Sequence, residues 1–227
     1  GGDLTLVDTT GGGSVAQLVS GHYHVCAVLT DGGAKCWGLN DHGQLGQGHA
    51  NNIGDEADEM GGALPPIEVG TNLTIRALAA GGYHTCALFI QARSDLKCWG
   101  FNNRGQLGQE HTHDTGDELG EMGNALRPIN LLGSLDSNPV IAMVAAGKFH
   151  TCVLFDVGSI KCFGYNFFGQ LGLGDRDDRG GSIGSMGTNL PFVNLGSGLL
   201  AVSLALGVEF SCALISDGQL KCWGGNF

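Results

Sequence analysis

Histidine and cysteine stand two residues apart at His24 and Cys26, at His84 and Cys86, and at His150 and Cys152. Residues so spaced on a strand share a face, which would let each imidazole act as base to a thiol nucleophile. Two features speak against that chemistry. The fourth occurrence, at Cys212, has Phe210 where the histidine belongs, and a second cysteine follows every first one, at Cys36, Cys98, Cys162 and Cys222. A catalytic constellation is normally unique, whereas a pattern written four times is normally architecture. The histidines are therefore read as structural, satisfied by backbone groups.

Other chemistry can be weighed the same way. The cysteines form no CxxC pair, so zinc fits them poorly. The acidic loops around Asp55 and Glu56 and around Asp117 and Glu118 could hold a calcium ion through carboxylates. The third version, 179–187, loses the acids but keeps Met186 and Gly187, so the shared part reads as a fold element with solvated turn carboxylates. His111, His113 and Asp114 form a local cluster not repeated elsewhere, readable as a surface metal site or a solvated loop. Asn72-Leu73-Thr74 is the one glycosylation sequon. No phosphate loop, serine elbow or HExxH is present, so neither catalysis nor a cofactor is expected.

The elements that carry these residues are hairpins. First cysteines at 26, 86, 152 and 212 set periods of 60, 66 and 60 residues, which signals propellers and solenoids. A three-residue loop at Thr30-Asp31-Gly32 places Cys26 opposite Cys36, and its third position needs a left-handed backbone, which glycine supplies. Gly158 and Gly218 occupy that position in the third and fourth copies, while the second absorbs two extra residues between Gln91 and Asp95. Cysteines directly opposite each other on neighbouring strands are close enough to bond. The expected disulfides are Cys26 to Cys36, Cys86 to Cys98, Cys152 to Cys162 and Cys212 to Cys222, with buried reduced thiols as the alternative.

Each complete repeat then runs from an apolar strand such as 141–146 through the hairpin, a GQLG turn and a long polar loop to a short exit strand, about four strands in all. The expected organisation is one domain over 1–227, with repeats at 16–74, 75–139 and 140–198. A fourth repeat is split, its first half at 199–227 and its closing strand at 1–15. Leu4, Leu6 and Val7 lie in that strand, whose pattern resembles 189–194, so it could complete the last hairpin of another subunit.

Composition narrows the function. With 41 glycines and no G-x-y period, the chain suits many tight turns between short strands. Its formal charge of -11 argues against nucleic acid, which demands clustered Lys and Arg. No apolar run approaches a membrane span, and 1–3 show no signal-peptide profile.

Gly-x-x-His-Thr-Cys-Ala-Leu followed by Lys-Cys-Trp-Gly-x-Asn-x-x-Gly-Gln-Leu-Gly, as in His84, Trp99, Gly100, Asn102 and 105–108, resembles the regulator of chromosome condensation repeat family. The likeness covers nearly the whole chain. It implies an all-β, β-propeller-like tandem repeat, most often of seven blades, with faces that bind other proteins. Trp37, Trp99, Phe163 and Trp223, one per repeat, are expected to pack between blades. The founding member is a nuclear exchange factor for a small GTPase and binds chromatin. Neither role transfers by residues, since no basic tail is present and paired cysteines suit an oxidising compartment.

The leading expectation is a non-enzymatic extracellular structural or adhesive protein whose partner is itself, assembling into a filament through the split repeat. The alternatives are a secreted propeller that captures another extracellular protein or a glycan, which would need an exposed aromatic patch on one face, and an intracellular exchange factor with reduced cysteines.

Overall fold

The computed structural model describes residues 13–92, 95–133 and 139–225. The chain is all-β. Among the described residues twelve strands form four separate three-stranded antiparallel sheets, each consecutive in sequence. The first sheet holds β1 (Val15–Ser20), β2 (His24–Leu29) and β3 (Ala34–Gly38). The second holds β4 (Ile75–Ala80), β5 (His84–Phe89) and β6 (Leu96–Gly100), and the third β7 (Ile141–Ala146), β8 (His150–Phe155) and β9 (Ile160–Gly164). β10 (Ala201–Leu206), β11 (Phe210–Ile215) and β12 (Leu220–Gly224) form the last.

Turn chemistry sets the register. Gly32, Gly158 and Gly218 close their hairpins at φ of 86°, 79° and 88°, a conformation that costs glycine nothing. With the loop fixed, Cys26 faces Cys36, Cys152 faces Cys162 and Cys212 faces Cys222, and Cys86 faces Cys98 across the longer connection. All four pairs are bonded, each with Cα atoms 4.1 Å apart, and none of the described cysteines is free. The first strand of each sheet carries a bulge near its start, as between Val15 and Gln17.

The expected fourth strand does not form among the described residues. The exit segment instead lies beside the third strand with one ladder-like bond per repeat: Ile67 N to Ala34 O at 2.8 Å, Ile129 N to Leu96 O at 2.8 Å and Val193 N to Ile160 O at 2.9 Å. Proline explains the brevity. Pro65-Pro66, Pro128 and Pro191 precede those residues and lack the N–H a ladder requires.

The hydrophobic cores lie between sheets. One unites Leu88, Leu96 and the Cys86–Cys98 pair with Val144, Val153 and Phe163 of the next sheet. Equivalent cores join the first sheet to the second and the third to the fourth. A sheet here buries its side chains only against a neighbour, as expected of stacked repeats. The first strands β1, β4, β7 and β10 lie side by side, and their ends line one small cavity near Gly21, Gly81, Gly147 and Gly207, which marks the axis of the arc. The closing strand expected over 1–15 lies, through residue 12 and with Leu4, Leu6 and Val7, outside the described residues. No described helix is long and apolar enough to cross a membrane.

Candidate functional site

The seams between sheets account for the sequence's most chemical-looking residues. His24 Nε2 lies 2.9 Å from Thr85 Oγ1 of the next sheet, His84 Nε2 2.9 Å from Thr151 Oγ1, and His150 Nε2 2.9 Å from Ser211 Oγ. Each hydroxyl donates to a glutamine carbonyl of the preceding repeat: Thr85 to Gln44 O at 2.8 Å, Thr151 to Gln106 O at 2.9 Å and Ser211 to Gln170 O at 2.8 Å. A hydroxyl already donating must accept from the imidazole, so Nε2 carries the proton. The hydroxyl is thus not available to be activated, and all six side chains are buried. These pairs are inter-sheet clasps, not nucleophiles, and the partner of Nε2 is a neighbouring side chain rather than backbone.

Burial keeps the imidazoles neutral. It lowers His24 to about 4, helped by nearby His22, lowers His84 to about 3, helped by His24 and His150, and lowers His150 to about 4. Trp99 Nε1 and Trp223 Nε1 also donate across seams, to Gln44 O at 3.1 Å and Gln170 O at 3.0 Å. Lys161 is buried too, its Nζ donating to Leu131 O and Gly187 O, both at 2.7 Å. Desolvation lowers it to about 8.

Asn102 builds the GQLG turn. Its Oδ1 accepts from Leu107 N at 3.0 Å, and its Nδ2 donates to His111 O at 2.8 Å and His113 O at 3.0 Å. Asn40 and Asn166 repeat the arrangement. The acidic loops are turns capped from within. Glu59 Oε2 accepts from Gly54 N at 2.7 Å and Glu56 N at 3.1 Å, and Glu121 Oε2 accepts from Gly116 N at 2.8 Å and Glu118 N at 3.1 Å. Those bonds hold the Glu59 carboxyl below its ordinary range. At the equivalent place in the third repeat, Ser185 Oγ accepts from Gly180 N at 3.1 Å. Asp55, Glu56 and Glu118 are exposed and Asp117 is half-buried, and no group of three or more His, Cys, Asp or Glu that could hold a metal occurs among the described residues. Asn72 is exposed in the turn between the first two repeats, at φ 61°.

His111 and His113 sit with ring centroids 5.7 Å apart beside an outer-loop cavity. Asp114 turns away from them: its Oδ1 accepts from Asn102 N at 2.8 Å and its Oδ2 lies 2.8 Å from His42 Nδ1 of the preceding repeat. Arg104 and Asp178 form the same link one seam on, at 3.6 Å.

Those links edge the feature that the sequence did not reveal, a continuous aromatic band over one end of the first three sheets. Tyr23, Tyr83 and Phe149 each stand just before the clasp histidine. Phe101 and Tyr165 stand just after the Trp-Gly or Phe-Gly pair, and backbone bonds hold the two positions together, Phe101 N to Tyr83 O at 2.9 Å and Tyr165 N to Phe149 O at 2.8 Å. Ring centroids then follow at 5.6 Å from Tyr23 to Tyr83, 6.1 Å from Tyr83 to Phe149 and 6.5 Å from Phe149 to Tyr165. His42 packs 4.1 Å from Phe101, and Phe167 stacks 6.4 Å from Tyr165. The Arg104 guanidinium lies 4.9 Å over Tyr165 and the Lys148 ammonium 5.1 Å over Phe149. Tyr23 is 59% and Phe167 54% exposed, with the rings between them half-buried. In the last sheet both positions change, to Glu209 and Gly225, and the band stops. Aligning the repeats by column would have exposed it, since hydrophobic periodicity along one strand does not register a residue outside the strand.

Anchored, part-exposed aromatic rings with cations above them bury large areas at little entropic cost, the composition of a protein-binding surface.

Comparison with known proteins agrees with the repeat. Two family profiles, both described as the regulator of chromosome condensation (RCC1) repeat, match residues 15–44, 75–106, 141–170 and 201–227, and residues 31–88 and 98–154. The ultraviolet-B receptor UVR8 of Arabidopsis thaliana is 30% identical over 212 residues, which is 93% of this chain but 41% of that protein. Among solved structures, human WBSCR16 superposes at a TM-score of 0.69 with 19% identity, over 94% of this chain and 50% of that one. Yeast RCC1 (Prp20), solved bound to Kap60, superposes at 0.65 with 22% identity, over 94% and 42%. The chain spans half or less of each of these proteins.

Proposed function

The chain belongs to the regulator of chromosome condensation repeat family, and from that premise we propose that it is a non-catalytic binding module that holds a protein partner against its aromatic band. The band from Tyr23 to Phe167 carries the reading, because it is the part-exposed surface on which rings, cations and hydroxyls converge. Its acid links, His42 to Asp114 and Arg104 to Asp178, hold the rings in register before any partner arrives, which lowers the cost of binding. We place the module outside the cytosol, since four disulfides would not persist against cytosolic thiols. Asn72, exposed in a turn, is then open to glycosylation.

The test is co-purification from the extracellular fraction of the source with the wild-type chain and with a Tyr83→Ala, Phe149→Ala, Tyr165→Ala variant. A partner recovered in fixed stoichiometry by the first should bind the second at least tenfold more weakly. Equal recovery by both would remove the band from the function. Thiol titration of the denatured native protein checks the compartment. It should find no free thiol, and eight would place the chain in a reducing one.

A further inference from the structure

Cations are scarce on this chain, which carries 11 Lys and Arg against a formal net charge of -11. Lys35, Lys97 and Lys161 are buried and donate to backbone carbonyls, so they offer nothing to a partner. Three of the remaining cations gather at one end of the aromatic band, each on a ring: Lys148 over Phe149 at 5.1 Å, Arg104 over Tyr165 at 4.9 Å and Arg176 over Phe167 at 6.0 Å. No Lys or Arg stands over Tyr23 or Tyr83 among the described residues.

A ring quadrupole attracts a cation and fixes its place without neutralising its charge. Lys148 and Arg176 form no ion pair among the described residues, and Arg104 meets Asp178 at a loose 3.6 Å. The backbone beneath Lys148 is pinned across a seam: Gly82 N donates to Gly147 O at 3.1 Å and to Lys148 O at 3.2 Å, and a Cβ at Gly82 would lie 2.5 Å from Lys148 O. The position of Phe167 is also exposed at Asp41 and Asn103 in the earlier repeats, so its exposure belongs to the repeat and not to the neighbouring last sheet. Charges held open in this way suit carboxylates, which bind them through charge-assisted hydrogen bonds.

Spacing gives the form of the occupant. Ring centroids step 6.1 Å from Tyr83 to Phe149, 6.5 Å to Tyr165 and 6.4 Å to Phe167. Alternate residues of an extended chain point to one side about 6.6 Å apart, which matches that step. A polyanion such as single-stranded nucleic acid fits less well, because Asp41, Asp114 and Asp178 stand among the same side chains.

We infer that the cationic half of the band takes an extended segment of a protein partner in which Asp or Glu alternates with uncharged residues, its carboxylates meeting Lys148, Arg104 and Arg176. The inference rests on the band being the binding surface and adds the chemistry and backbone form of what it binds.

Labelled octapeptides titrated with the full chain, read by fluorescence anisotropy, test it. An alternating Glu-Thr peptide should bind at least tenfold more tightly than an alternating Lys-Thr peptide. It should also bind at least threefold more tightly than a block peptide of four Glu and four Thr, and weaken at least tenfold as salt rises from about 50 to about 500 mM. Lys148→Gln with Arg176→Gln removes two charges and no ion pair, so it should keep the melting temperature and weaken the alternating peptide at least tenfold. No binding by that peptide, equal binding by the block peptide, an unchanged affinity in the double variant, or tighter binding of a labelled eight-nucleotide oligothymidylate would each overturn the inference. A co-purified partner separates the two readings. Loss by the triple alanine variant but not by the Lys148→Gln, Arg176→Gln chain would keep the band and remove its acidic occupant, whereas retention by both would remove the band itself.

Discussion

A histidine held neutral by burial makes stability depend on acid. His24, His84 and His150 bind a proton near pH 4, 3 and 4 in the folded chain and near 6.5 when unfolded. Between those values the unfolded state takes up more protons, so stability is complete above about pH 6.5 and falls as the pH drops toward 4. Each imidazole contributes on the order of 3 kcal/mol to that fall. His84→Phe, which copies the natural exchange at Phe210, should flatten the dependence. Urea midpoints at pH 4.5 and pH 7 should differ less for the variant than for the wild type, and equal differences would show that His84 does not titrate as its surroundings require. Lys161 acts in the same direction at higher pH: folded near 8 and unfolded near 10.5, it makes the chain more stable as the pH rises between them.

At the scale of the element, each hairpin is braced by a disulfide, and the first three are extended by an asparagine-built turn. Cys86→Ala with Cys98→Ala opens a loop of 12 residues and should cost about 3 kcal/mol of stability on the chain-entropy estimate, measured by chemical denaturation. Asn102→Ala removes three hydrogen bonds and strands the Leu107 N–H in a buried turn, for a loss of about 2 to 4 kcal/mol. Asn102→Asp should be intermediate, because Oδ1 still accepts from Leu107 while the donor to the two carbonyls is gone. A thermal melt of the three proteins should rank them wild type, Asp, Ala, and any other order would mean that the turn is held by something besides this side chain.

The whole molecule is an arc whose cores are seams, so no sheet is stable on its own account. The aromatic band crosses those seams, which makes its geometry a property of the stack. Replacing Tyr83, Phe149 and Tyr165 by alanine should change the melting temperature little, because none of the three belongs to a buried core. Thr85→Val, by contrast, leaves the buried Nε2–H of His24 without its acceptor and should cost about 1 to 3 kcal/mol while also loosening the first two sheets. Faster amide exchange confined to β2 and β5 would be the mark of that loosening; unchanged exchange there would deny the clasp its role.

The family, the all-β class and the strand pairs were legible from the chain, because glycine at a left-handed turn position and a fixed spacing to each cysteine are local constraints that leave one register. Only stacking decided what His84 bonds, since Thr151 lies 67 residues away and reaches it through the neighbouring sheet. The exit segment at Pro65-Pro66-Ile67 alternates like a strand, yet its prolines remove the donors that would make it one. The band stayed hidden for the same reason as the clasps: Tyr23, Tyr83 and Phe149 are neighbours across sheets, and distance between sheets is set by packing rather than by order along the chain.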